Sequence, residues 1–183
     1  MTRAQLTGLV LALLAGCVGP EKPELVGRVE EFTFDSALVG DSYQLFVRLP
    51  PEYDDVSLAG RAFPLVVQLD ANLATLEEFA VTAGFASQLE TDGDIAPTLV
   101  VGIGTAYDPN TPRRGRARDF TLPLEHPDTL GGSTTGGAPQ SYAFLRDELV
   151  PHLEATYRVA PPAQRALFGH SLGGLFAVYA LSQ

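Results

Sequence analysis

The sequence predicts an α/β fold in which a mostly parallel sheet carries helices on both faces and has an antiparallel strand pair at its N-terminal end. Short, nearly unbroken apolar runs occur at residues 63–70, 97–104 and 165–169, and such runs are typical of strands that are covered on both faces. Segments with helical spacing separate these runs, which indicates βαβ units. In folds of this kind, ligands bind at the carboxyl ends of the strands.

Length and composition are those of one globular domain. The chain has 183 residues, of which 45% are hydrophobic and 19% are charged, and these fractions argue against a disordered or fibrous chain. The formal net charge is −10 at pH 7. Because an acidic surface repels phosphate backbones, the charge argues against nucleic acid as a partner.

The first residues predict a secretory signal and a lipid anchor. Residues 1–16 contain Arg3 and an apolar run that is too short to span a bilayer but suits the core of a signal peptide. The run closes with LAGC, which resembles the bacterial lipobox, and Cys17 is the only cysteine of the chain. We expect a lipoprotein of the bacterial cell envelope, lipidated at Cys17, with residues 17–27 as a tether. The alternative is an ordinary signal peptide with an incidental cysteine.

Residues 28–183 are expected to form the folded domain, which begins with a strand pair. The segments LVGRVEEFTFDS and DSYQLFVRLP alternate apolar and polar residues with a period of two, as antiparallel strands do. Thr75 and Glu78 have the spacing of a capping box, which predicts the start of an amphipathic helix. The residues expected on one face of that helix are Leu76, Phe79, Ala83 and Ala86.

The second half of the chain continues the alternation. Residues 105–140 are rich in Gly, Pro, Arg and Thr, and we expect them to form a loop. Helical spacing returns in residues 141–157, with a kink expected at Pro151. Residues 165–169, RALFG, are expected to form a third buried strand, and residues 172–181, LGGLFAVYAL, an apolar helix.

One motif indicates a catalytic serine. Gly169, His170, Ser171, Leu172 and Gly173 satisfy G-x-S-x-G between a predicted strand and a predicted helix. A sharp strand-to-helix turn of this kind holds the serine in a strained backbone conformation with its hydroxyl exposed, and the flanking glycines remove Cβ atoms that would collide. The N–H of Leu172, at the helix N-terminus, is the natural first donor to an oxyanion. The alternative interpretation is a Gly-rich turn with an inert serine.

Six segments follow one another along the chain: LPPEYD, FPLVVQLDANL, VVGIG, RARDFTLP, GGAPQSYAFLRDELVPHLEATYRV and RALFGHSLGGLFAVYAL. Their content and order resemble the "Putative esterase" family of α/β-hydrolases, and in particular its branch of trilactone siderophore esterases. The resemblance implies the N-terminal part of an α/β-hydrolase fold with Ser171 as nucleophile. It also implies a second oxyanion donor just after Asp70, either the N–H of Ala71 or that of Asn72, and a substrate-binding role for Arg116.

The arginines near this segment have a second interpretation. Arg113, Arg114, Arg116 and Arg118 stand beside several prolines, and a solvated loop is the alternative to substrate binding. Arg118 is expected to organise the loop through a charge-assisted hydrogen bond to Asp119.

The catalytic partners of Ser171 are not evident among the three histidines, His126, His152 and His170. His170 adjoins Ser171, and neighbouring side chains on a tight turn diverge; His152 lies in a predicted helix, and His126 lies in the predicted loop. In α/β-hydrolases the acid and the histidine follow the nucleophile, yet neither residue type occurs after Ser171. We therefore expect a fragment whose acid and histidine lie elsewhere, the alternative being a protein without a triad.

Such a fragment has consequences for the isolated chain. Residues 165–169 would become an exposed apolar edge, so a polypeptide of these residues is expected to be poorly soluble and nearly inactive.

The predicted function is that of a serine carboxylic-ester hydrolase, acting through an acyl-enzyme on a small-molecule or glycan ester. The alternatives are an acyltransferase on the same scaffold and a non-catalytic ligand-binding lipoprotein. No metal or cofactor is implied, since the Gly-rich segment GGSTTGGAP lacks the lysine of a phosphate-binding loop. The sequence leaves the oligomeric state open, and it leaves the substrate open among siderophore trilactone, sugar ester and lipid ester.

Overall fold

The computed structural model of the chain describes residues 23–72, 77–105, 114–124 and 134–183. Several predictions lie outside these residues. They concern the signal peptide with Cys17, the capping residue Thr75 and its neighbour Leu76, and Arg113 and His126 in the predicted loop.

The described residues form a five-stranded sheet in the order β1-β2-β4-β3-β5. Its strands are β1 (Arg28–Ser36), β2 (Asp41–Leu49), β3 (Leu65–Leu69), β4 (Leu99–Thr105) and β5 (Arg165–Phe168). β2 pairs antiparallel with both β1 and β4, whereas β3 pairs parallel with both β4 and β5. The predicted fold class is confirmed. Because β3 and β5 are parallel neighbours, the turns that follow them meet at one edge of the sheet.

Helices cover both faces of this sheet. They are α1 (Glu77–Asp92), α2 (Arg114–Phe120), α3 (Ala138–Ala143), a π-helix (Phe144–Leu149), α4 (Val150–Thr156) and α5 (Leu172–Leu181). Short 3₁₀ turns occupy Pro51–Asp54, Val56–Leu58 and Pro162–Gln164. Among the described residues, no helix is both long and apolar enough to cross a bilayer.

Each face of the sheet carries its own core cluster, because successive side chains of a strand point to opposite faces. Leu45 and Val47 of β2 pack in the larger cluster, with the helices that follow residue 137, whereas Phe46 packs on the opposite face. Phe79 and Ala83 of α1 join Phe46 there, as the predicted amphipathic helix requires.

Pro151 follows a π-helical segment. The N–H of Val150 donates to the carbonyl of Leu145, five residues earlier. Proline has no N–H and its ring collides with the carbonyl four residues before it, so a widened turn accommodates it where a regular turn does not. The structure thus shows a π-helical segment at this point, while the kink expected at Pro151 stays a prediction.

The prediction that residues 105–140 form a loop is wrong in part. The segment contains α2, and α3 begins at Ala138. The side chain of Thr121 closes α2 by donating to the carbonyl of Ala117 at 2.6 Å. Ala117 and Asp119 are both buried. Tertiary packing thus makes a helix of a short segment whose composition is that of a loop.

Residues 165–168 form the predicted strand, β5, and it is exposed at the edge of the described sheet, as expected for residues 165–169 in a fragment and not for a buried strand. Ala166 and Phe168 are exposed, and Phe168 retains 50% of its accessible surface. β5 has a strand neighbour on only one side in the described sheet, so apolar composition does not become burial here. Helix α5 continues this apolar surface through its exposed residues Leu175, Val178 and Leu181.

Candidate active site

The predicted nucleophile lies on a sharp turn between β5 and α5. Ser171 precedes the first helical residue with φ 57° and ψ −118°, and it is exposed. Its side chain makes no capping hydrogen bond to the helix. This backbone conformation is sparsely populated by residues other than glycine, so the predicted strain and exposure of this serine are confirmed.

Two glycines permit this turn. A Cβ atom on Gly169 would lie 2.5 Å from the carbonyl carbon and oxygen of Gly173, and one on Gly173 would lie 3.0 Å from Oδ2 of Asp70. Backbone hydrogen bonds hold the turn together, since the N–H of Gly173 donates to the carbonyl of His170 and the N–H of Leu175 to that of Ser171. The strand end and the first helical turn are therefore in direct contact.

The predicted oxyanion donors lie at two places on this edge of the sheet. Leu172 is the first residue of α5, and N–H groups in the first turn of a helix have no intrahelical acceptor. The N–H of Ala71 donates to the carbonyl of Ile103 at 3.0 Å. Ala71 and Asn72, the two predicted second donors, both follow directly after Asp70. The side chain of Asn72 packs against the backbone of Gly104, where a Cβ atom would lie 2.4 Å from it.

Asp70 forms the turn after β3 and is the counterpart of Ser171. Its φ is 58°, and in the described part of the chain these two are the non-glycine residues with positive φ. Oδ1 of Asp70 accepts a hydrogen bond from Nε of Arg116 at 2.7 Å. Burial raises the pKa of the Asp70 carboxyl, and the neighbouring guanidinium of Arg116 opposes that rise.

Arg116 reaches the turn at Ser171 as well. Its Nη2 donates to the carbonyl of His170 at 3.1 Å, and its guanidinium lies 6.0 Å from the ring centre of Phe120. The side chains of Arg116 and Asp70 are 14% and 12% exposed. Sequence reasoning selected Arg116 for the site but gave no sign of either of these polar partners.

A second buried network supports helix α2. Arg118 donates from Nε to Asp119 at 2.6 Å, which confirms the predicted charge-assisted bond, although the segment is helical. The hydroxyl of Tyr43 also donates to Asp119, at 2.9 Å. Burial raises the pKa of both Asp119 and Tyr43. Sequence reasoning missed Tyr43, which lies 76 residues away.

A pocket adjoins the two turns. Its polar lining residues are Tyr43, Asp70, Asn72, Arg116, Asp119 and Ser141. Phe120, Phe144 and Phe176 supply aromatic surface, whereas Ser171 is not part of the lining. Within the part of the chain that the structure describes, Oδ2 of Asp70 and Oγ of Ser141 are buried without a hydrogen-bond partner. The pocket therefore combines aromatic walls with polar atoms that have bonding capacity left.

Neither described histidine is bonded to the serine. His152 packs against the rings of Phe32 and Phe34, at 5.8 and 5.2 Å between ring centres, which agrees with the structural role expected for it. His170 is exposed, and no hydrogen bond joins its ring or that of His152 to the hydroxyl of Ser171 among the described residues. In the same residues, no group of three His, Cys, Asp or Glu side chains is arranged to hold a metal ion.

Comparison with known proteins supports the resemblance seen in the sequence. A family profile described as "Putative esterase" matches residues 36–183. The ferri-bacillibactin esterase BesA of Bacillus subtilis is 35% identical over 128 residues, which are 65% of this chain and 42% of that protein. The siderophore triacetylfusarinine C esterase of Aspergillus fumigatus is 28% identical over 144 residues, which are 78% of this chain and 47% of that protein.

Solved structures agree with the sequence matches. The siderophore hydrolase EstA of Aspergillus nidulans superposes with a TM-score of 0.69 at 27% identity, covering 90% of this chain and 56% of that one. The chain spans about half the length of the relatives it matches.

Proposed function

Because the chain belongs to the esterase family of α/β-hydrolases, we propose that its protein is a serine carboxylic-ester hydrolase that works through an acyl-enzyme on Ser171. The observation that carries the proposal is the exposed hydroxyl of Ser171 on a strained turn between β5 and α5. In the first step Oγ bonds to the ester carbonyl carbon, its proton passes to a base, and the alcohol leaves. In the second step water releases the acid and restores the serine.

The surroundings of Ser171 suit the charge that develops in both steps. The carbonyl oxygen becomes an oxyanion in each tetrahedral intermediate, and we assign its donors to the N–H of Leu172 and to the N–H of either Ala71 or Asn72. The positive end of the α5 dipole favours the same charge. Neither described histidine is hydrogen-bonded to Ser171, so the base in this proposal is another residue.

The relatives favour one substrate class among those that the sequence leaves open. Two of the matched proteins are esterases of siderophores and a third is a siderophore hydrolase. The pocket beside the turns offers the aromatic walls of Phe120, Phe144 and Phe176, which suit a ligand with flat rings. We therefore assign the scissile bond to a siderophore ester.

Covalent labelling tests the proposal. The full-length gene product is treated with a fluorophosphonate probe and digested, and the labelled peptide is identified by mass spectrometry. We expect Ser171 to carry the label and Ser171→Ala to abolish it, while Ser182→Ala, which changes an exposed serine at the other end of α5, leaves it unchanged. A wild-type protein without label at Ser171 would contradict the mechanism and favour a non-catalytic ligand-binding protein.

Product analysis tests the reaction class and the substrate. Incubation with a siderophore trilactone is expected to give linear hydroxy acids, separable by chromatography, in the wild type and not in Ser171→Ala. An added sugar or lipid alcohol tests the alternative of acyl transfer, because a transferase converts it into an ester. Formation of that ester in preference to the free acid would contradict hydrolysis.

The proposal places the enzyme in the bacterial cell envelope, anchored through a lipid on Cys17. It rests on the LAGC sequence and the preceding apolar run. Growth with an alkyne-labelled fatty acid is expected to label the wild type, and Cys17→Ser is expected to abolish the label and release the protein from the membrane fraction. Unchanged membrane association of the Cys17→Ser protein would contradict the anchor.

A further inference from the structure

Two strained turns lie side by side at the carboxyl edge of the sheet. Asp70 follows β3 with φ 58°, and Ser171 follows β5 with φ 57°. β3 and β5 are hydrogen-bonded neighbours, so the two turns follow strands that are paired with each other. Ala71 and Asn72 follow the turn at Asp70, and Leu172 follows Ser171. The proposed oxyanion site lies between two turns that must keep their separation.

One side chain links the two turns. The guanidinium of Arg116 donates from Nε to Oδ1 of Asp70 at 2.7 Å and from Nη2 to the carbonyl of His170 at 3.1 Å. The acceptor of the second bond belongs to the peptide unit that enters Ser171. That carbonyl also accepts from the N–H of Gly173 at 3.0 Å, so both bonds fix its orientation. A planar guanidinium holds two acceptors at a set separation, which a flexible ammonium does not.

Charge gives the link a second role. The Oδ2 atom of Asp70 lies 3.0 Å from the position that a Cβ atom on Gly173 would take, and its carboxylate is therefore close to the first turn of α5. An unpaired negative charge at that place would oppose the formation of an oxyanion nearby. The guanidinium of Arg116 neutralises this charge, because the two side chains form a largely buried ion pair.

We propose that Arg116 is a positioning residue that ties the turn at Asp70 to the nucleophile turn, and that it supports the reaction of Ser171 without touching the substrate. The inference rests on the proposed function and differs from the substrate-binding role that the family resemblance implies. Its consequence is that even a small uncharged ester, which has no negative charge to pair with an arginine, depends on Arg116.

The experiment compares full-length wild type with Arg116→Met and Arg116→Lys. We measure kcat and KM for p-nitrophenyl acetate and the rate of labelling by a small fluorophosphonate. Both variants are expected to lower kcat and the labelling rate, Arg116→Met by roughly 10- to 100-fold, with KM unchanged. The lysine variant is slowed because a single ammonium does not reach both acceptors. If Arg116→Met does not fold, as checked by thermal unfolding, Arg116→Lys carries the test.

A matched control separates this role from general loss of an arginine. Arg158 also donates to two backbone carbonyls, those of Leu58 and Tyr53. It adjoins Val159, which bridges to Phe63 at the opposite end of β3 from Asp70, so Arg158→Met is expected to leave kcat unchanged. The double variant Arg116→Met with Asp70→Asn is expected to be no slower than Arg116→Met, because Asp70 acts through the arginine.

Three results would overturn the inference. Labelling of Arg116→Met or of Arg116→Lys at the wild-type rate would show that the reaction of Ser171 does not depend on the link between the turns. A raised KM with unchanged kcat assigns Arg116 to substrate binding. A wild-type protein without label at Ser171 overturns the proposed function itself, and the inference fails with it.

Discussion

The turns after β3 and β5 share one unusual backbone feature and differ in how it is supported. Asp70 and Ser171 have almost the same positive φ, 58° and 57°. The side chain of Asp70 is 12% exposed and is ion-paired with Arg116. The side chain of Ser171 is exposed and makes no hydrogen bond to its helix. At Asp70 the strained residue contributes contacts that offset its own strain, whereas at Ser171 other residues must do so.

The difference shows how the fold leaves the proposed nucleophile accessible. At the turn of Ser171 the backbone strain is offset by other residues. Gly169 and Gly173 allow close contact of strand and helix, and two hydrogen bonds hold the carbonyl of His170. No packing is required of the serine hydroxyl, so it remains available for attack. Glycine at the two strained positions should therefore have opposite effects on stability, and three predictions test how each turn is supported.

The largest effect is expected from Asp70→Gly. Breaking a buried ion pair from one side costs about 3–5 kcal/mol, and glycine at positive φ recovers about 1 kcal/mol. We expect the free energy of unfolding, measured by urea titration of the full-length protein, to fall by about 3 kcal/mol. The Arg116 guanidinium, only 14% exposed, is left without its carboxylate in this variant.

Asp94→Gly is the matched control for this substitution, because Asp94 is exposed. It is expected to change the free energy of unfolding by less than about 1 kcal/mol. An Asp70→Gly protein as stable as this control would show that the ion pair does not offset the strain at Asp70.

A smaller loss is expected from Gly169→Ala. The added Cβ atom would lie 2.5 Å from the backbone of Gly173, and backbone atoms do not move aside cheaply. We expect the free energy of unfolding to fall by about 2 kcal/mol, as overpacking does, together with slower labelling of Ser171. In Gly60→Ala the new Cβ atom meets nothing within 4 Å, and that control should match the wild type in both measurements. Wild-type labelling in Gly169→Ala would mean that the close contact is dispensable.

Local patterns were sufficient to predict most of the framework. The apolar runs at residues 63–70 and 97–104 identify β3 and β4, because strands covered on both faces need apolar side chains at nearly every position. The G-x-S-x-G motif identifies the strained serine, since glycine is required wherever two backbones approach closely. These signals are contained within a few neighbouring residues.

The errors and omissions share a physical cause, which is distance along the chain. The pairing of Arg116 with Asp70 joins residues 46 positions apart, and the arginines at 113, 114, 116 and 118 have no local feature that tells which one pairs. Helix α2 depends on the bond from Tyr43 to Asp119 across 76 residues. An apolar run likewise records only side-chain type: the run at residues 165–169 predicts a strand, but its exposure depends on the order of the sheet, in which β5 has a strand neighbour on one side alone.

The smallest effect is expected between Ser171→Gly and Ser171→Ala. This comparison isolates the backbone strain at residue 171, because both variants lack the hydroxyl. Both variants lack the nucleophile and should lose labelling completely, but only glycine removes the Cβ atom that is strained at φ 57°. Relief of such strain is worth about 1–3 kcal/mol, and the greater unfolded-state entropy of glycine subtracts about 0.5–1 kcal/mol. We therefore expect Ser171→Gly to be more stable than Ser171→Ala by about 1 kcal/mol, measured by urea titration. Equal stability of the two variants would mean that the turn at residue 171 relaxes without cost. The different effect of glycine at residue 70, where it is expected to destabilise, would then come from the loss of the ion pair alone.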